Sequence, residues 1–131
     1  MYVTGADKGE LGASLPVYVQ IMNSLKLEIA SARLGPGERV STVRELAARF
    51  GANPNTVQRA LSELEREGLM YTERTSGRFV TGDTGVIERL REDMSREAVR
   101  GFLDHMKRIG YTAREAAELV VSCEKDGPGA E

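Results

Sequence analysis

Hydrogen-bonding side chains crowd the stretch from residue 53 to residue 59, and they are types that can read the edges of nucleic-acid bases. Asparagine and glutamine amides pair two-pronged with adenine, arginine pairs with guanine, and threonine reaches a phosphate or a thymine methyl group. Apolar residues with the spacing of one buried helix face interleave with them, at Val57, Ala60, Leu61 and Leu64. The polar set is therefore predicted to face outwards, and it comprises Asn53, Asn55, Thr56, Gln58 and Arg59.

The helix that carries this polar set has its own start and stop signals. Asn53 is a good N-cap, Pro54 suits the first helical position, and Gly68 stops the helix. The helix N-terminus also offers unpaired backbone N–H groups to a phosphate. Each polar residue taken alone could belong to an ordinary solvated face. The elements on either side of the helix favour a binding surface.

Two further helices are predicted upstream of this one. Apolar spacing from Pro16 to Ala32 marks an amphipathic helix, which the turn residues 34–37 bring to an end. Thr42 and Glu45 form a capping box in front of a second, short helix, and Gly51 closes that helix as a left-handed C-cap.

The apolar period changes from helical to strand-like after Gly68. Residues 69–72 and 78–81 are two strand-like runs around the turn residues 73–77, which indicates a hairpin. Three helices followed by a two-stranded hairpin is the order of a winged helix-turn-helix, so the predicted fold class is mainly α (α+β). In a helix-turn-helix the last helix of the unit enters the major groove of DNA, N-terminal end first.

Residues at two neighbouring places extend the predicted DNA-binding surface. Arg44 lies early in the second helix, where a DNA contact is favoured over surface ion pairing. Arg74 and Arg78 flank the hairpin tip, where phosphate or minor-groove contact is the functional interpretation. For Arg78 an ion pair is an equally good interpretation. The residues added to the surface are Thr42, Arg44, Arg74, Ser76, Gly77 and Arg78.

Two more helices are predicted beyond residue 82. One follows an apolar face from Ile87 to a stop at Gly110, and a capping box of Thr112 and Glu115 opens the other. Two helices of roughly 40 residues in total are too few to bury a core alone. They must pack on the first domain or on a second copy of the chain. The predicted dimer interface comprises Leu90, Met94, Phe102, Met106, Leu119 and Val120.

The predicted organisation has four parts. Residues 1–14 form a flexible arm, 15–82 the winged helix-turn-helix DNA-binding domain, 83–125 a two-helix dimerisation tail, and 126–131 a disordered tail. The chain of 131 residues has a net charge of −2, but residues 15–82 carry nine basic and seven acidic side chains. The predicted DNA-binding domain is thus mildly basic between acidic flanks.

Catalytic, metal-binding and membrane functions find little in the sequence. The single histidine, His105, is predicted to be exposed or at an interface, and the single cysteine, Cys123, has no basic partner nearby. No metal spacing, phosphate loop or nucleophile motif occurs, so we predict no catalytic residue, metal site or cofactor. Every apolar run is far shorter than the roughly 20 residues of a membrane span. One unpaired cysteine suits a reducing cytoplasm.

Residues 15–80 resemble the DNA-binding domain of the GntR family of bacterial transcription regulators. The resemblance is carried by LPVYVQI at 15–21, by LGPGERVSTVRELAARFGANPNTVQRALSELEREGLMYT at 34–72 and by SGRFV at 76–80. The short two-helix tail and the form NPNTVQRA further resemble the YtrA subfamily. That resemblance implies a small helical dimerisation tail without a large effector domain, and genes that often lie beside transporter genes.

Carried over position by position, the resemblance implies DNA contacts from Arg44, Asn53, Asn55, Thr56 and Gln58, and a minor-groove position for the wing-tip residue Gly77. This chain also departs from the family pattern. Pro54 and Gln58 stand where many members have arginine, so the guanine-reading pattern of those members does not carry over. Ser41 stands where proline is usual, and the wing reads TSGRF in place of a Gly-Arg-Gly-Thr-like run, so weaker anchoring of the wing is expected.

The expected function is that of a sequence-specific transcriptional regulator, a homodimeric repressor on a palindromic operator that controls a transporter operon. The expected location is the bacterial cytoplasm, at the nucleoid when the protein is bound to DNA. The expected partners are double-stranded DNA and a second copy of the chain, with no membrane partner, and the sequence identifies no small-molecule effector. The alternative is a winged-helix protein-interaction module without DNA binding, which the near-neutral charge favours.

Overall fold

The structure, a computed structural model, describes residues 15–126. Within that range the chain forms five helices and one two-stranded sheet, which confirms the mainly α (α+β) fold class. The elements are α1 (Val17–Ala30), α2 (Val43–Phe50), α3 (Pro54–Arg66), β1 (Met70–Glu73), β2 (Gly77–Val80), α4 (Thr84–Ile109) and α5 (Ala113–Asp126). The predicted arm at residues 1–14 lies outside the described residues.

Helices α2 and α3 begin at the residues that the sequence predicts. The Thr42 hydroxyl accepts a hydrogen bond from the Glu45 N–H at 3.1 Å, and the Glu45 carboxylate accepts one from the Thr42 N–H at 2.9 Å. Gly51 ends α2 with φ 62°. Asn53 caps α3 and Pro54 is its first residue. These local signals confirm the predicted capping box and both helix starts.

Helix α1 ends earlier than the apolar spacing predicts. Its last residue is Ala30, and Ala32 lies beyond the helix in a left-handed conformation with φ 66°. The Leu34 N–H donates to the carbonyl of Glu28 at 3.0 Å, which satisfies one of the last carbonyls of the helix before the turn at 34–37 is reached. Periodicity alone does not distinguish an apolar residue in a last helical turn from one just after it.

The core of the first compact unit lies between α1, α2, α3 and the sheet. Eight large side chains in it are almost completely buried: Ile21, Leu25, Ile29, Leu46, Val57, Leu61, Leu64 and Val80. Burial of one such side chain is worth about 1.5–3 kcal/mol. Two ion pairs tie the helices at the rim, Lys26 with Glu67 at 2.9 Å and Arg49 with Glu28.

The sheet contains one more pairing than the predicted hairpin. β1 and β2 are antiparallel with Met70 opposite Val80, and each strand lies within one residue of the predicted bounds. In addition, Arg39 forms a bridge with Phe79 on the other side of β2. The Val40 N–H donates to the Arg78 carbonyl at 2.8 Å, and the Val80 N–H donates to the Glu38 carbonyl at 2.9 Å. β2 is therefore hydrogen-bonded on both of its sides.

The chain divides into two compact units after Leu90, whereas the sequence predicts a boundary after residue 82. Asp83 caps α4 by accepting a hydrogen bond from the Gly85 N–H at 2.9 Å, and both Ile87 and Leu90 are buried. The first turns of α4 therefore belong to the first unit.

The second unit contains the rest of α4 and all of α5. Its buried apolar residues within the described range are Met106 and Ala116. The predicted second capping box is confirmed, with the Thr112 hydroxyl 3.1 Å from the Glu115 nitrogen. α5 continues to Asp126, so the helix includes the first residue of the predicted disordered tail. Residues 127–131 lie outside the described range.

Candidate nucleic-acid interface

The N-terminal end of α3 presents the predicted polar cluster on the surface. Asn53, Asn55, Gln58 and Arg59 are exposed, and Thr56 is half-buried. The Asn53 side-chain oxygen accepts the Asn55 N–H at 2.7 Å, so Asn53 is occupied as the helix cap. Gln58 makes one long hydrogen bond of 3.4 Å to Ser62. Two-pronged pairing with an adenine therefore remains open to Asn55 and Gln58 and is hindered for Asn53.

Arg59 is held by an aromatic ring. Its guanidinium lies 3.8 Å from the ring centroid of Tyr18 on α1. A cation over a tyrosine face is attracted by the ring quadrupole. The contact restricts the directions that Arg59 can reach, and it links the predicted DNA-binding helix to α1.

Two further predicted arginines are exposed and carry no ion pair within the described residues. Arg44 is the second residue of α2, and Arg74 lies in the turn of the wing, which is the β1–β2 hairpin with its turn. Neither arginine has to release a carboxylate in order to bind a phosphate. Ser76 is exposed in the same turn, and its N–H donates to the Glu73 carbonyl at 3.1 Å.

Arg78 has a different environment. Its Nε lies 3.1 Å from a carboxylate oxygen of Glu65 on α3, and Thr72 donates a hydrogen bond to the same oxygen. Of the two interpretations kept open for Arg78, the structure contains the ion pair. Burial raises the pKa of Glu65, but the hydrogen bonds from Thr72 and Arg78 outweigh it, so the pKa lies below its ordinary value.

Two glutamates at the C-terminal end of α3 form ion pairs with other elements of the domain. Glu65 joins α3 to the wing, and Glu67 pairs with Lys26. Both contacts are made with residues far away in the sequence. The helical spacing of the glutamates shows which side of α3 they occupy but does not show what lies opposite.

A groove of about 220 Å³ lies between the start of α2 and the wing. It brings three of the predicted residues together, and its lining comprises Arg39, Val40, Ser41, Thr42, Val43, Thr72, Gly77 and Arg78. Arg39 is a residue that the sequence reasoning missed. The available signal is weak, a single basic residue between Glu38 and Val40, a few residues before the helix cap Thr42.

The predicted interface residues of the tail differ in exposure. Phe102 is 38% exposed, Leu119 39% and Val120 50%. Met94 is half-buried, whereas Leu90 and Met106 are already buried within the single chain. The last two therefore have little surface left to offer a partner.

Within 15–126, no group of three or more histidine, cysteine, aspartate or glutamate side chains is arranged to hold a metal ion. None of the helices in that range is long and apolar enough to cross a membrane. His105 and Cys123 are both exposed.

The chain is similar in sequence to a family of bacterial regulatory proteins and to several of its members. The family model described as "Bacterial regulatory proteins, gntR family" matches residues 17–80. The HTH-type transcriptional regulator YhcF of Bacillus subtilis (strain 168) is 34% identical over 115 residues, which cover 88% of this chain and 95% of YhcF. The HTH-type transcriptional repressor YtrA of the same strain is 42% identical over 69 residues, 53% of each chain.

Solved structures agree with these matches. A GntR family transcriptional regulator from Listeria monocytogenes superimposes with a TM-score of 0.77 and 33% identity, over 83% of this chain and 96% of that one. The DNA-binding domain of AraR in complex with operator ORX1 superimposes with a TM-score of 0.50 and 29% identity, over 52% of this chain and 82% of that one.

Proposed function

The chain belongs to the gntR family of bacterial regulatory proteins, and from that premise we propose that it acts as a homodimeric repressor on a palindromic operator. The relatives are transcriptional regulators and not enzymes, and this chain is accordingly a DNA-binding transcriptional regulator. The alternative of a protein-interaction module without DNA binding is therefore set aside.

One observation carries the proposed manner of DNA reading. The polar end of α3 is exposed, while Val57, Ala60, Leu61 and Leu64 on the opposite face are buried. Asn55 and Gln58 would read base edges in the major groove. Arg44, exposed and without an ion pair in the described residues, would bind a backbone phosphate.

The proposal of a homodimer rests on the second compact unit. Phe102, Leu119 and Val120 keep a large part of their side chains exposed, and few apolar residues of the unit are buried. Covering these side chains with the same surface of a second copy would remove apolar area from water. A two-fold dimer then predicts two inverted half-sites about one helical turn apart.

The sign of regulation and the location are inferred from the relatives. YtrA and NagR of B. subtilis are both named as HTH-type transcriptional repressors, which favours repression here. The resemblance to the YtrA subfamily favours a transporter operon as the target. A DNA-bound regulator of this family is expected in the cytoplasm, at the nucleoid.

Selection of bound duplexes from a random DNA pool, combined with sedimentation of the free and DNA-bound protein, tests this proposal. We expect an inverted repeat and a mass of two chains per duplex. A single unrepeated site bound by one chain would overturn the proposed dimer and leave the family assignment intact.

Substituting Arg44 at the start of α2 and Arg66 at the end of α3 tests which part of the domain contacts DNA. Arg44→Ala should weaken binding to the selected duplex and to unrelated duplexes by a similar factor and reduce the salt slope by about one, because a phosphate contact carries no sequence information. Arg66→Ala is the matched control, because Arg66 is exposed at the far end of α3 and pairs with Glu63 at 3.6 Å. Fluorescence anisotropy with labelled duplex measures both variants. Equal losses from the two substitutions would contradict the proposed orientation of α3.

A further inference from the structure

We infer that Arg39 is an additional DNA-contact residue, whose guanidinium, lying across Gly77 next to the turn of the wing, binds a backbone phosphate at the groove between the wing and α2. The inference rests on DNA binding by this chain and requires neither the dimer nor the palindrome of the proposed function. Three features of Arg39 support the inference: its backbone is held by hydrogen bonds, its side chain occupies the space over Gly77, and its charge has no ion-pair partner within the described residues.

The backbone of Arg39 is fixed on the sheet. Arg39 stands opposite Phe79, and the hydrogen bonds on either side of it join Val40 to Arg78 and Glu38 to Val80, at 2.8 and 2.9 Å. A side chain on a hydrogen-bonded backbone segment starts from a defined position and loses less freedom on binding than one on an open loop. Arg39 is therefore better placed for a specific contact than an arginine in the wing turn.

The side chain of Arg39 lies in the space that Gly77 leaves open. A methyl group added to Gly77 would lie 3.2 Å from the Arg39 Nε and 3.3 Å from its Nη2, closer than ordinary contact. Gly77 also has φ 112°, a conformation that glycine adopts without strain. The absence of a side chain at position 77 thus lets the guanidinium of Arg39 lie close to the backbone of the wing.

The charge of Arg39 is available to a ligand. Arg39 is exposed and makes no ion pair within residues 15–126, whereas its neighbour across the groove, Arg78, is paired with Glu65. Ser41 and Thr42 line the same groove, and the Thr42 hydroxyl, which accepts the Glu45 N–H, still has its own hydrogen to donate. A guanidinium and hydroxyl-bearing residues in one groove suit the oxygens of a phosphate diester.

The salt dependence of DNA binding tests the inference. Affinity for the selected duplex and for an unrelated duplex is measured by anisotropy over a range of salt concentrations, with the full chain. Arg39→Ala should weaken both affinities about tenfold at low salt and reduce the salt slope by about one, since one phosphate contact is lost. Arg39→Lys should keep the slope, because it keeps the charge.

Two controls make the test decisive. Arg66→Ala removes an exposed arginine of the same unit and should leave the slope unchanged, and thermal unfolding verifies that each variant is folded. Arg39→Ala combined with Gly77→Ala should weaken binding by less than the product of the two single effects, because Gly77→Ala alone already displaces the guanidinium. Additive effects would overturn the role assigned to Gly77.

Two results would overturn the inference as a whole. One is an unchanged salt slope in Arg39→Ala while the wild-type protein binds DNA normally. The other is stabilisation of the wild type, but not of Arg39→Ala, by inorganic phosphate with no change in DNA affinity, since the groove would then be a site for a free anion. Failure of the wild type to bind a palindrome would leave the test intact, because the unrelated duplex also reports the slope.

Discussion

The two compact units of this chain use their apolar residues in opposite ways. Between residues 15 and 90, each of the helices α1 to α3 and both strands have buried apolar side chains, and the hairpin turn has none. Between residues 91 and 126, Met106 and Ala116 are buried while Phe102, Leu119 and Val120 remain exposed. The first unit has a core of its own, and the second unit has a surface that suits a partner. Stability and assembly should therefore respond to different substitutions.

Truncating one leucine in each unit should give the largest difference. Leu61→Ala removes a buried side chain of α3 and should lower the free energy of unfolding by about 2–5 kcal/mol. Leu119→Ala removes an exposed side chain and should change the stability of the dilute chain by much less. Its expected effect is an increase in the dissociation constant of the proposed dimer. Urea unfolding and sedimentation equilibrium measure the two quantities, and equal losses of stability in dilute solution would contradict the contrast.

The two capping boxes allow a sharper comparison, because their geometry is the same. The hydroxyl-to-nitrogen distance is 3.1 Å in both the Thr42–Glu45 and the Thr112–Glu115 pair. Thr42→Ala and Thr112→Ala should each cost about 1 kcal/mol of stability. DNA affinity should fall for Thr42→Ala alone, because Thr42 lines the groove beside the wing. Serine substitutions at the same positions keep the cap and serve as controls, and equal DNA affinities of the two alanine variants would refute the difference.

The contact between Arg59 and Tyr18 should give a smaller effect, confined to the first unit. Tyr18→Leu keeps much of the apolar bulk and removes the ring face 3.8 Å from the Arg59 guanidinium. A double-mutant cycle of Tyr18→Leu and Arg59→Ala, measured by thermal unfolding, should give a coupling energy of about 0.5–1 kcal/mol. A coupling of zero would mean that the ring does not position Arg59.

The smallest effect concerns pH and the bond between α3 and the wing. The folded-state pKa of Glu65 is lowered, because burial raises it less than the hydrogen bonds from Thr72 and Arg78 lower it. The stability that the ionised Glu65 contributes is therefore complete above the ordinary pKa of 4.5. It is lost as the pH falls through the lowered pKa of the folded state. Glu65→Gln should reduce the loss of unfolding free energy at acid pH by less than about 1 kcal/mol.

Acid titration of stability, followed by circular dichroism, measures this effect. Thr72→Val removes one of the two hydrogen bonds to Glu65 and should show part of the same change. If Glu65→Gln lost stability at acid pH as the wild type does, that loss could not be assigned to Glu65.

The contrast between local and distant contacts also explains what the sequence predicts. The capping of α2 by Thr42, the start of α3 at Asn53 and Pro54, and the left-handed stop at Gly51 depend on residues within four positions of one another. Such signals can be read from a short window. The polar end of α3 follows from the same window, because its buried stripe determines which residues remain outside.

The features that the sequence did not predict depend on residues far apart in the chain. Apolar spacing does not show that Arg39 pairs with Phe79 or that Glu65 binds Arg78. It also does not show that Arg59 lies on Tyr18, since neither residue is unusual in its own helix. These partners emerge only when the helices and the sheet are packed together. The DNA-contact roles and the dimer interface remain predictions.

The bridge between Arg39 and Phe79 has a consequence for the order in which the domain forms. Pairing of β1 with β2 closes a short loop, whereas the bridge joins segments separated by α2 and α3. Contacts between distant segments are formed late, because the intervening chain must first be ordered. The N–H groups of Val40 and Val80 donate across this bridge, so their hydrogen-exchange protection should appear only after both helices have docked. Protection of these two amides would then report that α2 and α3 are in place, whereas the β1–β2 pairing alone would not.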